Sequence, residues 1–411
     1  MKKNILSWIS YDFANSSFTT VIVTVVYSVY FKSVVVGKEG IGDSLWGISV
    51  SLSMLIAAIL SPILGAIADQ THSKKKFLFV FCYISVLFTG LLYFVRAGAV
   101  LWGMLIFMIA NIGFEGGNVF YNAFLPEITT KKNLGKVSGL GWGIGYIGGL
   151  SALILSYLFI KTNVPLVFPL IAAFFGVFAI PIFLFLKESK PKQQFENTKY
   201  IKVGYERIKK TFRHIKDLKE LFRFLTSFFI YNDGIKTVIV FAAIYGAQRF
   251  SMSGSQLIIY FVLANITSFI GALIFGYIVD RIGAKKTISI SLLIWIAVVI
   301  WAFFCTNMTQ FYGVGLLAGI AIGSSQSASR SFLSLLTPED KHAEFFGFYA
   351  VSGKAAAIIG PLLYGVLVLI LHSQRWAILS IVLFFVAGFL VLQTVNEKNG
   401  VQVASQIFRK E

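Results

Sequence analysis

Two short stretches decide the fold: Gly65-Ala66-Ile67-Ala68-Asp69, followed by Lys74-Lys75-Lys76, and Gly276-Tyr277-Ile278-Val279-Asp280-Arg281-Ile282-Gly283, followed by Lys285-Lys286. Asp69 and Asp280 stand 280 − 69 = 211 positions apart, about half of the 411-residue chain. Each stretch closes one apolar run and opens the next. Fainter echoes support a duplication: Tyr11-Asp12 against Tyr231-Asn232-Asp233, and Leu125-Pro126-Glu127 against Thr337-Pro338-Glu339. A doubled unit of this kind lets two similar halves rock about a site between them.

Working outward from these loops, apolar runs fill the chain. Hydrophobic residues make up 57% and charged residues 13%, and the mean hydropathy is +0.78. A soluble core cannot bury so much apolar surface, so the bilayer must be the solvent. A helix needs roughly 20 apolar residues to cross about 30 Å of hydrocarbon. About twelve such runs are expected near 9–31, 45–68, 77–95, 100–125, 137–160, 164–186, 221–246, 255–279, 287–305, 308–333, 345–371 and 376–395. Runs such as Ile56 to Leu64 and Ile378 to Val391 do not alternate in polarity, which excludes a transmembrane barrel. The expected fold is an all-α integral membrane protein of two pseudo-symmetric six-helix bundles. Residues 1–187 and 221–396 form the bundles, 188–220 a basic cytoplasmic linker and 397–411 a tail.

Charge sets the orientation. The 36 Lys and Arg against 18 Asp and Glu give +18, and they gather at the termini, the even-numbered connections and the adjoining helix ends. That asymmetry predicts a multi-pass protein of the cytoplasmic membrane with both termini inside. No segment is long enough for a folded nucleic-acid-binding domain, so nucleic acid is not an expected partner. In the linker, Ile201, Tyr205, Ile208, Phe212, Ile215 and Phe222 recur at helical spacing opposite Lys202, Lys209, Lys210, Arg213 and Lys216. An amphipathic helix on the inner leaflet or a solvated connector fits this pattern. Cys82 and Cys305 each lie inside an apolar run, and the four histidines fall at or beyond helix ends. Neither a disulfide framework nor a metal site is expected, and no cofactor.

The Gly-x-x-x-Asp loops resemble the signature loop of the major facilitator superfamily, although Gln70-Thr71-His72 stands in the first where that loop has an arginine and a glycine. More narrowly, four motifs resemble the vacuole effluxer (autophagy-related amino-acid effluxer) family and its bacterial relatives. They are Tyr11-Asp12-Phe13-Ala14-Asn15-Ser16-Ser17-Phe18, Tyr231-Asn232-Asp233-Gly234, Gln326-Ser327-Ala328-Ser329-Arg330-Ser331 and Glu344-Phe345-Phe346-Gly347-Phe348-Tyr349. The resemblance implies the major facilitator fold, helices one, four, seven and ten around a cavity, and export of amino acids.

An ionisable group inside a span costs roughly 2.5 kcal/mol or more on insertion scales, so each is a functional candidate. The set is Asp12, Glu115, Asp233, Lys236 and Lys354. A carboxylate among them can carry a proton or contact solute, or it can pair permanently with Lys236 or Lys354. Lys236, three residues beyond Asp233, is placed for such a pair. Asn111, Glu115, Asn118 and Asn122 form a polar stripe on helix four, either a cavity wall or a helix–helix seam. Tyr11, Asn15, Asn232, Gln326 and Arg330 complete the candidate set, Arg330 serving equally as a surface anchor. The cytoplasmic gate candidates are Gly65, Asp69, Lys75, Gly276, Asp280, Arg281, Gly283 and Lys285. The glycines admit a neighbouring helix, and the aspartates can meet a helix N-terminus or the following cations. Helix five, with Gly139, Gly141, Gly143, Gly145, Gly148 and Gly149, is read as a packing face.

No phosphate-binding Gly-x-x-x-x-Gly-Lys-Ser/Thr loop, Gly-x-Ser-x-Gly elbow or His-Glu-x-x-His helix occurs, so an enzyme or ATP-driven pump is not expected. The expected function is alternating-access movement of a small solute, amino acids or related compounds, by a monomer in contact with membrane lipids, with protons as the candidate coupling ion. A drug, lipid or other nutrient carrier of the same fold is the alternative, and a non-transport scaffold the more distant one.

Overall fold

Gly283 sits at φ +92°, a conformation that side chains rarely adopt, and it ends one long helix and caps the next. The residue 211 positions earlier, His72, also takes positive φ, at 47°. The same turn is thus built twice, once with glycine and once with a residue that resists it. In the computed structural model these turns join the helices of an all-helical chain, which describes residues 2–37, 41–160, 163–188, 218–339, 341–371 and 373–406.

Twelve long helical segments follow one another among the described residues. They are α1 (Lys2–Val36), α2 (Ile41–Thr71), α3 (Lys74–Leu91), α4 (Val100–Ala123), α5 (Leu134–Ile160) and α6 (Val164–Phe185). Then come α7 (Lys219–Phe250), α8 (Gly254–Ile282), α9 (Ala284–Phe304), α10 (Met308–Leu336), α11 (His342–Leu371) and α12 (Gln374–Gln393). A short α13 (Glu397–Gln406) ends the described chain. By length and composition 10 of them can cross a membrane. The other two are α11 and α10, whose C-terminal half carries Ser324, Ser325, Gln326, Ser327, Ser329 and Arg330. Large apolar side chains face outward, Ile154 at 70% and Leu184 at 68% exposure among them, as a lipid solvent demands. The amphipathic pattern of the linker lies almost wholly in 189–217, outside the described residues.

The chain forms two units. One comprises Met1–Ile128, Ile144–Ile208 and Lys341–Phe348; the other comprises Thr129–Gly143, Lys209–Asp340 and Tyr349–Glu411. Within the first, α3 packs on α4, α1 on α6, α2 on α4 and α3 on α6. Within the second the same scheme returns six helices on: α9 on α10, α7 on α12, α8 on α10 and α9 on α12. The sequence repeat is therefore a repeat of packing. Each unit also takes in a short segment from the other half of the sequence, the opening of α5 or of α11.

Small residues set the closest approaches. A Cβ on Gly139 would lie 2.3 Å from the Ala272 carbonyl oxygen, and one on Gly276 would lie 2.6 Å from that of Gly135, so α5 and α8 meet backbone to backbone. Farther along α5, a Cβ on Gly148 would lie 2.1 Å from the Phe13 carbonyl of α1. Close packing of this kind holds helices together where water cannot drive them. Pro62, Pro169 and Pro181 lie inside helices, which neighbouring helices tolerate in lipid. In α1, π-helical stretches at Phe18–Val25 and Phe31–Val36 alternate with α-helical turns, a feature often found at functional positions.

Candidate functional site

In the first unit the candidates cluster where α1 meets α4. Tyr11 is buried and stacks on Tyr121 at 4.9 Å, and Trp8 also stacks on Tyr121, at 4.5 Å, while its indole donates to the Tyr121 carbonyl. Asn15 Nδ2 donates to Asn118 Oδ1 at 2.9 Å, tying the two helices by a side-chain bridge. Asn122 donates back to the Asn118 carbonyl at 2.7 Å, and Asn111 donates to Ser53 of α2 at 2.8 Å. The stripe on α4 therefore divides: Asn111 is a helix–helix bond, Asn118 a crosslink to α1. Asp12 is buried, and Glu115 is half-buried between those asparagines.

In the second unit the candidates lie on α7, α10 and α11. Tyr231 and Ser329 share a hydroxyl hydrogen bond at 2.6 Å. Asn232 Nδ2 donates to the Gly353 carbonyl at 3.2 Å. Asp233, fully buried, accepts the Gly360 amide with both oxygens, at 2.9 and 3.0 Å. Of the alternatives left open, the pair with Lys236 is not among the contacts of Asp233 in the described residues. The aspartate turns to α11, where a backbone donor is in reach, and Lys236 is exposed. Lys354 and Gln326 are half-buried. Arg330 does not stand open at the membrane surface. It is buried, donates from Nε to Ser138 Oγ at 3.0 Å and from Nη2 to the Ser138 carbonyl at 2.5 Å, and lies 5.3 Å from the Trp142 ring.

The loop candidates act on helix starts. In the first unit Asp69 is buried; one oxygen accepts the Glu344 amide at 2.9 Å, at the opening of α11, and the other lies 3.2 Å from Lys74 Nζ. Lys74 also pairs with Glu127. The cation beside Asp69 is thus Lys74; Lys75 reaches the Leu186 carbonyl at 2.7 Å instead. A Cβ on Gly65 would lie 2.4 Å from the Ala343 carbonyl oxygen, so only glycine admits the start of α11 there. In the second unit Asp280 accepts the Gly135 and Lys136 amides, each at 2.8 Å, at the start of α5. Exposed N–H groups and the helix dipole make such positions favourable for a carboxylate. Arg281 lies over Tyr277 at 4.2 Å, and Lys285 Nζ donates to the Gln393 and Val395 carbonyls at 2.9 and 2.7 Å.

A second pair of caps escapes a search for charged motifs. Glu188 accepts the Lys74 and Lys75 amides at 2.6 and 3.2 Å, and Glu397 accepts the Ala284 and Lys285 amides at 3.1 and 3.3 Å. Each glutamate lies just past the last long helix of its half and caps the third. Alignment of Leu186-Lys187-Glu188 with Val395-Asn396-Glu397 is the signal that finds them. Burial pushes the Glu188 carboxyl up to about 7, against the lowering effect of the Lys75 and Lys74 amides.

The chain matches the model of the vacuole effluxer Atg22-like family over residues 33–405. It is 32% identical to the MFS-type transporter YxiO of Bacillus subtilis, over 97% of this chain and 96% of that one. It is 24% identical to autophagy-related protein 22 of Kluyveromyces lactis, over 87% of this chain and 80% of the relative. Among solved structures, the human organic anion transporter MFSD10 superposes with a TM-score of 0.78 at 14% identity, covering 95% of this chain and 99% of that one. The major facilitator transporter FucP, in its outward conformation, superposes with a TM-score of 0.73 at 15% identity, covering 96% and 99%. At such identities the structural likeness speaks for the fold.

Proposed function

The chain belongs to the vacuole effluxer Atg22-like family of major facilitator transporters, and from that premise we propose that it carries small amphoteric solutes, amino acids first among them, with proton movement as the coupled flux. It is a multi-pass membrane transporter and not an enzyme. The observation that carries the solute class is the pairing of chemistries inside the helices. Asp12, Glu115 and Asp233 supply carboxylates, Lys354 an ammonium, and Asn15, Asn118 and Asn232 supply amides, all on long helices that are mostly apolar. A zwitterion needs both signs, and in a dry site each charge of the solute must find its counterpart. The relatives named for autophagy-related protein 22 and the vacuole effluxer model support export toward the cytoplasm's opposite face or out of an organelle. The weight of Lys and Arg at the termini and even-numbered connections supports a cytoplasmic membrane with both termini inside.

The test is uptake of a panel of labelled amino acids into proteoliposomes holding the purified full chain, with and without an imposed proton gradient. Accumulation driven by the gradient and abolished in the combined neutral variant Glu115→Gln, Asp233→Asn, Lys354→Gln establishes the reading. Flux of amino acids that survives all three changes overturns the role of the charges. Absence of amino-acid flux, with flux of an organic anion or a lipid analogue in its place, overturns the solute class.

A further inference from the structure

We infer that the two turns of α11 between Gly353 and Gly360 form a hinge whose bend is set by proton uptake and release at Asp233; this rests on, and deepens, the transport reading. The argument begins with the backbone of α11. Pro361 has no amide hydrogen, so the turn below it lacks one helical donor. The preceding amide, that of Gly360, is directed at the Asp233 carboxylate. Two successive positions therefore give the turn below no undivided N–H. Seven residues earlier the Gly353 carbonyl accepts from Asn232. Consecutive residues of α7 thus bracket about two turns of α11, one end by a carbonyl and the other by an amide.

The bracket is built for close approach. A Cβ on Gly360 would lie 2.0 Å from Thr237 Oγ1 and 2.8 Å from Asp233 Oδ1, so no larger residue fits while the helices stay together. Thr237 spends its hydroxyl on the Asp233 carbonyl at 2.7 Å, which leaves the carboxylate to the Gly360 amide. Asp233 is fully buried near the middle of the span Lys219–Ala247. The lower clamp has spare capacity, because Asn232 Oδ1 is buried without a hydrogen-bond donor among the described residues.

Proton uptake changes what this arrangement can do. Ionised, Asp233 is an acceptor at both oxygens and competes with the helix's own carbonyl for the Gly360 amide. Protonated, it keeps one acceptor and gains an O–H that must find an acceptor of its own. The α11 turn below Pro361 holds a carbonyl short of its amide, and the released Gly360 N–H can return to its helical position. The exchange leaves α11 straighter in one state than in the other. Among the described residues, the other titratable or charged groups of the neighbourhood are Tyr231 and Lys236 on α7, Tyr349, Lys354 and Tyr364 on α11, and Arg330 on α10. On the facing turn of α12, Phe384 and Phe385 lie against Gly234. Tyr231 is bonded to Ser329, Tyr349 stacks on Phe228 at 4.0 Å, Tyr364 stacks on Phe241 at 3.9 Å and Arg330 holds Ser138. Asp233 is the group that touches the Gly360 amide.

The test is amide hydrogen exchange of the full chain in lipid nanodiscs between pH 5 and pH 8.5, with labelling times scaled to the intrinsic exchange rate. The readout is the peptide set covering 350–362, with peptides of α4 as the internal reference. The expected result is a single step of tenfold or more in protection of 350–362 that α4 does not share. The step vanishes in Asp233→Asn and returns with a shifted midpoint in Asp233→Glu. Pro361→Ala, which restores an amide to the turn and leaves Asp233 in place, shrinks the step severalfold. A flat wild-type profile, a step that persists in Asp233→Asn, or an undiminished step in Pro361→Ala overturns the hinge. A step in a chain that moves no solute refutes the transport reading alone, and transport without a step refutes the hinge alone.

Discussion

Replacing Asp69 by alanine isolates the cap on α11. The change removes two interactions within one unit: the acceptor for the Glu344 amide, and one of the two carboxylates around buried Lys74. A hydrogen bond to a charged group contributes about 1.5–3 kcal/mol. Breaking a buried ion pair outright costs about 3–5 kcal/mol, but Glu127 remains beside Lys74, so the loss falls below that range. The two losses share one carboxylate and do not add. A net cost of about 3 kcal/mol for holding Lys341–Phe348 against the end of α2 follows, equivalent to roughly 150-fold in the opening equilibrium at 1.36 kcal/mol per tenfold. Hydrogen exchange of peptides covering 341–348 measures it, with α3 and α4 peptides reporting whether the unit stays folded. Acceleration of less than threefold in 341–348, with the reference helices unchanged, would refute the assignment of Asp69 as the cap.

Gly139→Val pushes a side chain into the Ala272 carbonyl and should cost about 1–3 kcal/mol or more by forcing α5 from α8, read as a lowered unfolding midpoint in detergent; an unchanged midpoint sinks the close-contact account. Asn15→Ala removes the bridge to Asn118 and should cost about 1 kcal/mol on the same assay. For Glu188 the folded carboxyl sits at about 7 against an ordinary value of 4.5, so the folded state binds the proton more tightly than the unfolded chain does. Its contribution is fully present below about pH 4.5 and is lost as pH rises through about 7, and with partial exposure it amounts to about 1–2 kcal/mol. Unfolding midpoints measured across that window should fall with rising pH in the wild type and fall less in Glu188→Gln; parallel slopes would remove Glu188 from the pH response.

The helix count and the repeat were legible in the sequence because the bilayer allows few solutions. Long apolar runs can only be spanning helices, and a loop written twice marks a doubled unit. Asp69 and Asp280 were legible for the same reason, being charges at repeated places. Their partners were not, since the Glu344, Gly135 and Lys136 amides belong to the backbone and carry no residue signature. Glu188 and Glu397 bind amides too, and in sequence they look like ordinary polar residues after a span. Asp233 shows the limit of spacing arguments. Residues three apart on a helix share a face, which favours Lys236, but the side chain settles on whichever donor its neighbours supply. Arg330 was read equally as a site candidate and as a surface anchor, and the start of α5 covers it. The π-helical turns of α1 leave no mark in composition.

The segments that each unit takes from the other half of the sequence bear on how the protein is made. When the first 188 residues have left the ribosome, Lys341–Phe348 does not yet exist, so Asp69, Lys74 and Glu127 must enter the membrane with the amide of Glu344 still missing. The opening of α5 waits in the same way for Asp280. The first half cannot reach its final arrangement during its own synthesis, and its last joins form only after the opening of α11 is made. Half-chains expressed alone should therefore be short-lived in the cell, and expressed together they should protect each other from degradation.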